Sequence, residues 1–216
     1  MIISHHYKFI FFALPKTASQ SIRLSLRPHL HELDWEQCNL FESRRFPMPA
    51  LAKYQTGHLN YQQIQHFFYF ELLKQYFKFC FFRDPIDRFL SFYFFTMRNK
   101  KITSNWQDEI KINYLNQPEK LNKHILSRPQ FSFITDESGE LKMDFIGRFS
   151  QLKEDFQHLF RLLKLPETPL CTINASQNSK KCVIDQELED FLRNFYDKDY
   201  QIIEQCRQHG PIIKHL

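Results

Sequence analysis

Glycine is scarce in this sequence, which has only 4 glycines but 24 phenylalanines among its 216 residues. Flexible linkers are usually rich in glycine, so this scarcity argues against several small domains joined by long linkers. The abundance of phenylalanine instead predicts a core rich in aromatic side chains. We therefore expect a single domain over residues 1–216, which is long enough to bury a core of its own.

Long apolar runs and long runs of one charge are also missing. The longest apolar stretch near the N-terminus, Phe9 to Leu14, is far too short to cross a bilayer. The net charge of +5 is spread over pairs and single residues, without the basic tract typical of a nucleic-acid-binding tail. The 5 cysteines show no CxxC spacing, which indicates neither a zinc site nor a disulfide framework. We expect a cytoplasmic protein with no membrane span, no nucleic-acid partner and no metal site.

Two segments share the order strand, polar turn and helix. Residues 8–14 form an aromatic and β-branched run that stops at Pro15, which predicts a buried strand, and a helical pattern follows the next turn. A second aromatic strand, Tyr76 to Phe82, is followed by Asp84 as N-cap and Pro85 as the first residue of an amphipathic helix.

The rest of the chain continues this alternation. We predict helices over residues 61–70, within 99–140, over 151–165 and over 186–207, and a strand over 143–149. Strands that alternate with helices predict an α/β fold, in which a central parallel sheet is flanked by helices and a P-loop-like turn follows the first strand. Residues 99–140 are expected to form a variable helical insertion.

The polar turn after the first strand, Pro15 to Ser21, has the residue types that bind phosphate. Backbone N–H groups, hydroxyls and the Lys16 ammonium converge there on the start of a helix. The turn differs from a Walker A loop, because it lacks the glycines of GxxxxGK[ST] and its lysine precedes the hydroxyl residues. A P-loop kinase is therefore disfavoured. Taken alone, the motif favours the alternative of a chance polar loop that carries a solvated lysine.

A second candidate anion site follows the other aromatic strand. Arg83 supplies a planar guanidinium suited to phosphate, and Ser91, eight residues later, lies off the apolar stripe of the next helix. Arg88 is expected on the same polar face, where it would reinforce the site. The alternative is that Arg83 pairs with Asp84 or Asp87. Because α/β sheets bind ligands at the carboxyl ends of their strands, the two sites together predict a ligand with two separated phosphates.

These motifs resemble those of the sulfotransferases that use 3'-phosphoadenosine 5'-phosphosulfate (PAPS). The turn Pro15 to Ser21 is similar to the loop that binds the 5'-phosphosulfate in that family, and Arg83 and Ser91 have the spacing of its 3'-phosphate site. The phrase Arg83 to Tyr93 resembles the carbohydrate-type, sulfotransferase family 2-like branch, as does the segment Asp144 to Phe149. The matches are scattered over about residues 8–93 and 143–205.

The resemblance implies a PAPS site and two catalytic residues. The residues that would bind the nucleotide are Lys16, Thr17, Ala18, Ser19, Gln20, Ser21, Arg83 and Ser91. Lys16 would also stabilise the negative charge that accumulates between sulfur and the 5'-phosphate. His58, in a Gly-His segment like the one that carries the catalytic histidine in relatives, would take the acceptor's proton in an in-line displacement that needs no metal. The alternative is a structural histidine that caps the helix around Tyr61.

The acceptor would be a small molecule or a glycan, and its specificity is expected from residues 34–54 and 99–140. A late loop with Asn174, Lys180 and Lys181 is expected either to approach the ligand or to be solvated. Two other functions stay open. One is a kinase-like phosphotransferase, which would need Mg²⁺, and the other is a non-catalytic relative that kept the nucleotide site.

Overall fold

A mixed sheet forms the centre of the protein in the computed structural model, which describes residues 1–37, 57–66, 68–99, 104–172 and 182–214. The strands are β1 (Ile2–Ser4), β2 (Phe9–Phe11), β3 (Trp35–Glu36), β4 (Phe77–Phe82), β5 (Phe145–Arg148) and β6 (Ile212–Ile213). Their spatial order is β3-β1-β2-β4-β5-β6.

Helices connect the central strands and flank the sheet. Their bounds are α1 (Ser19–Leu26), α2 (Tyr61–Gln65), α3 (Phe68–Leu73), α4 (Pro85–Thr96), α5 (Trp106–Tyr114), α6 (Glu119–Lys123), α7 (Leu152–Leu162), α8 (Gln186–Phe195) and α9 (Asp197–His209). Short 3-10 turns occupy Arg27–His29, Gln130–Phe133 and Phe149–Gln151. None of the helices within the described residues has both the length and the apolar character needed to cross a membrane.

The three central strands are parallel, as the sequence predicts. Phe9 of β2 lies beside Phe77 of β4, and Phe79 of β4 lies beside Phe145 of β5. Successive side chains of a strand point to opposite faces, so each aromatic run fills two cores at once. One core holds Phe79 and the inner faces of α1 and α7, and the other holds Cys80 with α2 and α9. The predicted α/β fold with a central parallel sheet is confirmed.

The outer strands differ from the prediction, because the sheet is antiparallel at both edges. β1 pairs with β2 and β3 in antiparallel fashion, and β6 does the same with β5. A tight turn with Lys8 in the left-handed region (φ 57°) reverses the chain between β1 and β2. Strands of two or three residues are too short to show a period of two, which is why the sequence pattern misses them.

Most predicted helices are present, with shorter or divided bounds. The pattern over residues 61–70 forms two short helices, α2 and α3, and the C-terminal pattern over 186–207 forms α8 and α9. Helices also occur within residues 104–140, where α5 and α6 pack their apolar faces against α4 and α8. The start of α4 is as predicted: the Asp84 side chain accepts hydrogen bonds from the backbone N–H groups of Ile86 and Asp87, and Pro85 is the first helical residue.

Candidate active site

The turn between β2 and α1 has a backbone shape that collects N–H groups. Lys16 (φ 63°) and Ala18 (φ 59°) both adopt the left-handed conformation, which points neighbouring N–H groups to one side. Within the described part of the chain, no side chain caps α1, and its first turn carries no acidic residue. The N–H groups of the first turn of α1 and the positive end of the helix dipole therefore face the position that an anion would occupy.

The Thr17 hydroxyl and the Ser21 carbonyl of this turn have structural partners. Thr17 is buried and its hydroxyl donates a hydrogen bond of 3.1 Å to the Leu14 carbonyl, which fixes the turn against the end of β2. The Ser21 carbonyl accepts a 3.1 Å hydrogen bond from the Ser25 hydroxyl one turn along α1. Of the predicted nucleotide-binding residues, Thr17 thus offers its backbone N–H and the remaining acceptor capacity of its hydroxyl.

The Lys16 ammonium lies in a positively charged environment. Its Nζ atom is 4.2 Å from the centre of the Phe95 ring, and the Arg98 guanidinium carbon is 4.4 Å from the same ring centre. Burial, and after it the charges of Arg83 and Arg98, lower the pKa of Lys16 to about 8. Three cations gathered around one turn favour a ligand that carries several negative charges.

Arg83 lies directly beside the same turn. Its Nη1 atom donates a 3.3 Å hydrogen bond to the Lys16 carbonyl, and its guanidinium carbon is 4.4 Å from the centre of the Phe149 ring. The Arg83 Nε atom is buried and has no hydrogen-bond partner among the described residues. A buried donor without a partner costs free energy, so this N–H group is suited to a ligand acceptor. The two predicted anion sites are therefore neighbours.

The environment of Arg83 argues against the alternative reading of that residue. The Asp84 carboxylate caps α4 and pairs with Arg207 at 3.3 Å, and among the described residues neither Asp84 nor Asp87 forms an ion pair with Arg83. Burial lowers the pKa of Arg83, and the charges of Asp87 and Asp84 oppose this effect from a greater distance. Ser91 lies half-buried on α4, as its place off the apolar stripe predicts. The guanidinium of Arg83 is thus available for a ligand.

The expectation for Arg88 is wrong. Its side chain is fully buried and donates hydrogen bonds to the carbonyls of Leu126 (3.0 Å), Ser127 (3.2 Å) and Arg128 (2.7 Å). A guanidinium has several donors and can satisfy three successive carbonyls of a buried turn, and these bonds stabilise the side chain in the interior. Arg88 supports the fold and does not reinforce the phosphate site.

His58 is fixed at the amino-terminal side of α2. Its Nδ1 atom donates a 2.6 Å hydrogen bond to the Ala13 carbonyl, because a carbonyl oxygen only accepts. The neutral ring therefore keeps its lone pair on Nε2. Asn60, and not His58, caps the helix, in a capping box with Gln63, which rules out the alternative of a capping histidine.

The charge state of His58 follows from its surroundings. Burial lowers its pKa to about 4, the hydrogen bond to Ala13 opposes this effect, and the nearby positive charges of the N-terminus, Arg23 and Lys16 lower the pKa further. At neutral pH the ring is therefore unprotonated and can accept a proton. Because the charge of Lys16 lowers the pKa of His58, the two side chains lie near each other, and His58 lies near the same turn.

Two functional candidates were not found from the sequence. Arg98 lies just beyond the end of α4, where its guanidinium carbon is 4.4 Å from the centre of the Phe95 ring, and helical spacing therefore does not predict its place. Arg23 is buried and donates hydrogen bonds to the carbonyls of Gly57 (2.8 Å) and Gln37, so it holds the segment that carries His58. No local pattern reveals that second role, because its partners are distant in sequence.

A family model described as Sulfotransferase family, of the family 2 branch, matches residues 1–203. The chain belongs to the sulfotransferase family. Members of this family transfer a sulfuryl group to small-molecule or glycan acceptors, generally from PAPS. The chain matches none of the curated proteins and none of the solved structures with which it was compared.

The sulfotransferase match covers both anion sites and His58. The resemblance first indicated by Lys16, Arg83 and Ser91 is therefore confirmed at the level of the family. Asn174, Lys180 and Lys181 lie outside the described residues, as does most of the predicted acceptor segment 34–54. A transferase of the sulfotransferase class is the activity that the match supports.

Proposed function

We propose that the protein transfers the sulfuryl group of PAPS to a hydroxyl of a carbohydrate acceptor. The observation that carries this proposal is the 3.3 Å contact between the Arg83 guanidinium and the Lys16 carbonyl, which joins the two anion sites of a sulfotransferase-family chain. One nucleotide with charged groups at both ends of its ribose would match such a pair of neighbouring sites. Family membership also favours sulfuryl transfer over a kinase-like reaction.

In this proposal each end of the nucleotide has its own residues. The backbone N–H groups of residues 16–21 and the Lys16 ammonium bind the 5'-phosphosulfate. Arg83, through its buried Nε donor, and Ser91 bind the 3'-phosphate. A phosphate oxygen at Arg83 Nε would satisfy a donor that otherwise stays unpaired among the described residues, which is a direct gain on binding.

The reaction is an in-line displacement at sulfur. The acceptor oxygen attacks sulfur with a lone pair and loses its proton to Nε2 of His58, while the bond from sulfur to the bridging oxygen breaks. The electron pair of that bond leaves with adenosine 3',5'-bisphosphate, and Lys16 and the N–H groups of its turn stabilise the added negative charge.

The pKa of His58 suits a base that works only when the nucleotide is bound. With a pKa of about 4 the free ring is a weak base, because nearby positive charges and burial disfavour its protonation. The negative charges of PAPS beside Lys16 would offset those positive charges and raise the pKa of His58 toward neutrality. Proton transfer would then become favourable in the loaded site.

The acceptor side is proposed from the fold around this site. We assign residues 99–140 to one wall of the acceptor cleft, because this segment follows α4 in the chain and its helices α5 and α6 pack against α4. We also propose a single catalytic domain over residues 1–216 and a cytoplasmic location. Free thiols at Cys80, Cys171, Cys182 and Cys206 agree with a reducing compartment.

A transfer assay with radiolabelled PAPS and a panel of glycans and simple hydroxyl compounds tests the proposal. We expect the wild-type protein to label a glycan, and His58→Ala to lower kcat by about 10²–10⁴-fold while the Kd for adenosine 3',5'-bisphosphate changes less than about threefold. His66→Ala is the matched control, because that histidine is exposed and pairs with Glu137. It should keep full activity.

Three outcomes would contradict parts of the proposal. Full activity of His58→Ala would exclude this residue as the base. Binding of the bisphosphate without transfer to any acceptor would favour a non-catalytic relative. A melting shift with ATP and Mg²⁺ but none with the bisphosphate would favour a kinase-like protein instead.

A further inference from the structure

The backbone of Arg83 lies at a junction where regular hydrogen bonding ends. β5 accompanies β4 as far as the pair Phe82 and Arg148, and α4 begins at Pro85. Among the described residues, no strand therefore pairs with the N–H and C=O groups of Arg83. Buried backbone groups need partners, so some other part of the chain must supply them.

Gln130 supplies both partners through its side chain. Its Oε1 atom accepts a 3.0 Å hydrogen bond from the Arg83 N–H, and its Nε2 atom donates a 2.8 Å hydrogen bond to the Arg83 carbonyl. This pair of bonds imitates a neighbouring strand for one residue. The Gln130 side chain is fully buried, and the fixed donor and acceptor of Arg83 determine which way its amide points.

Gln130 is in turn fixed by Asp199 of α9. The Asp199 carboxylate, which is fully buried, accepts hydrogen bonds from the backbone N–H groups of Gln130 (2.7 Å) and Phe131 (2.8 Å). It also lies 3.4 Å from Nε2 of Gln130. The carboxylate thereby holds the start of the 3-10 turn Gln130–Phe133, from which the Gln130 side chain reaches Arg83.

We propose that Gln130 and Asp199 are positioning residues that hold Arg83 for the 3'-phosphate and so set the preference for a 3'-phosphorylated nucleotide. This inference rests on the proposed function, because it assigns the 3'-phosphate to Arg83. A guanidinium binds phosphate through a planar fork, and small displacements of its carrier backbone weaken such a geometry. The guanidinium carbon packs 4.4 Å from the centre of the Phe149 ring, and the two hydrogen bonds of Gln130 hold the backbone from which the Arg83 side chain extends.

Two nucleotides distinguish positioning from general support of the fold. Adenosine 3',5'-bisphosphate uses both anion sites, whereas adenosine 5'-monophosphate uses only the turn with Lys16. In isothermal titration, we expect wild type to bind the bisphosphate at least about tenfold more tightly than the monophosphate, which is the ratio of the two Kd values. Gln130→Met should reduce that ratio by about tenfold and change the Kd of the monophosphate by less than about threefold.

Tyr196→Phe is the matched control. It removes a buried hydrogen bond of 2.6 Å between the Tyr196 hydroxyl and the Ser127 carbonyl, in the segment just before Gln130, without touching Arg83. We expect it to lower the melting temperature and to leave the ratio of the two Kd values unchanged. Asp199→Asn, which keeps the size of the side chain, should shift the ratio in the same direction as Gln130→Met and serves where that variant does not fold.

The possible results separate the two proposals. The positioning role would be overturned if Gln130→Met and Asp199→Asn weakened the binding of both nucleotides equally. It would also be overturned if Tyr196→Phe reduced the ratio of the two Kd values as much as those variants do. A wild-type preference that persists unchanged in both variants would overturn that role and leave the proposed function intact. A wild-type protein without any preference for the bisphosphate would overturn the 3'-phosphate site itself, and with it the proposed function.

Discussion

At the scale of single residues, the site depends on positive charges that the fold holds close together. Lys16 lies near Arg83 and Arg98, and these charges together with burial lower its pKa to about 8. Such an arrangement is unfavourable in the free protein and becomes favourable when a polyanion enters. Binding of the nucleotide should therefore be coupled to protonation of Lys16.

This coupling predicts a pH dependence of nucleotide affinity. The bound phosphates raise the pKa of Lys16, so the bound form holds more protons than the free form around pH 8. Affinity for adenosine 3',5'-bisphosphate should therefore fall by up to about tenfold per pH unit above about pH 8, as far as the raised pKa of Lys16 in the bound form. Isothermal titration in buffers of different ionisation enthalpy would measure the proton uptake directly.

Lys16→Arg is the control for this prediction, because arginine stays charged over the whole range. Its affinity should not change between about pH 7 and pH 9. Equal pH dependence in the variant and in the wild type would assign the effect to another group and contradict the coupling to Lys16.

At the scale of secondary-structure elements, the close packing of β4 against β5 fixes the strand end that carries Arg83. Gly147 of β5 lies against the Phe81 ring, and a Cβ atom added there would be 2.4 Å from the nearest ring carbon. The ring is fully buried and packs against Phe145, so it has no room to move away. Only glycine lets these two strands and their phenylalanines fit together.

Gly147→Ala should therefore destabilise the protein by about 1–3 kcal/mol or more, through overpacking. Gly57→Ala is the matched control, since a Cβ atom at that position meets no atom of the described residues closer than 3.9 Å. Chemical denaturation would give both free energies of unfolding. Similar free energies of unfolding for the two variants would show that the packing between β4 and β5 can adjust to an added methyl group and does not fix the strand end.

At the scale of the whole molecule, two strand ends that are far apart in sequence meet at one edge of the sheet. The sequence predicts this meeting, because each aromatic strand is followed by polar residues and a helix, and parallel neighbouring strands place their carboxyl ends together. The buried central strands and the Asp84 cap were also predictable, because local residue types alone determine them.

The supporting parts of the site were not predictable in this way. Arg88 has the helical spacing of an exposed residue, yet its side chain is buried because it donates hydrogen bonds to the carbonyls of residues 126–128. Gln130 and Asp199 have no spacing that links them to Arg83, since the chain brings them together only through tertiary packing. The short edge strands carry too few residues for a pattern.

A crystal structure with bound adenosine 3',5'-bisphosphate tests most directly whether one nucleotide spans both anion sites. We predict the 5'-phosphate oxygens within about 3 Å of the N–H groups of residues 16–21, and the 3'-phosphate within about 3 Å of Arg83 Nε and the Ser91 hydroxyl. A bisphosphate that occupies only one of these sites, or that binds with Arg83 turned away from it, would contradict the proposed function.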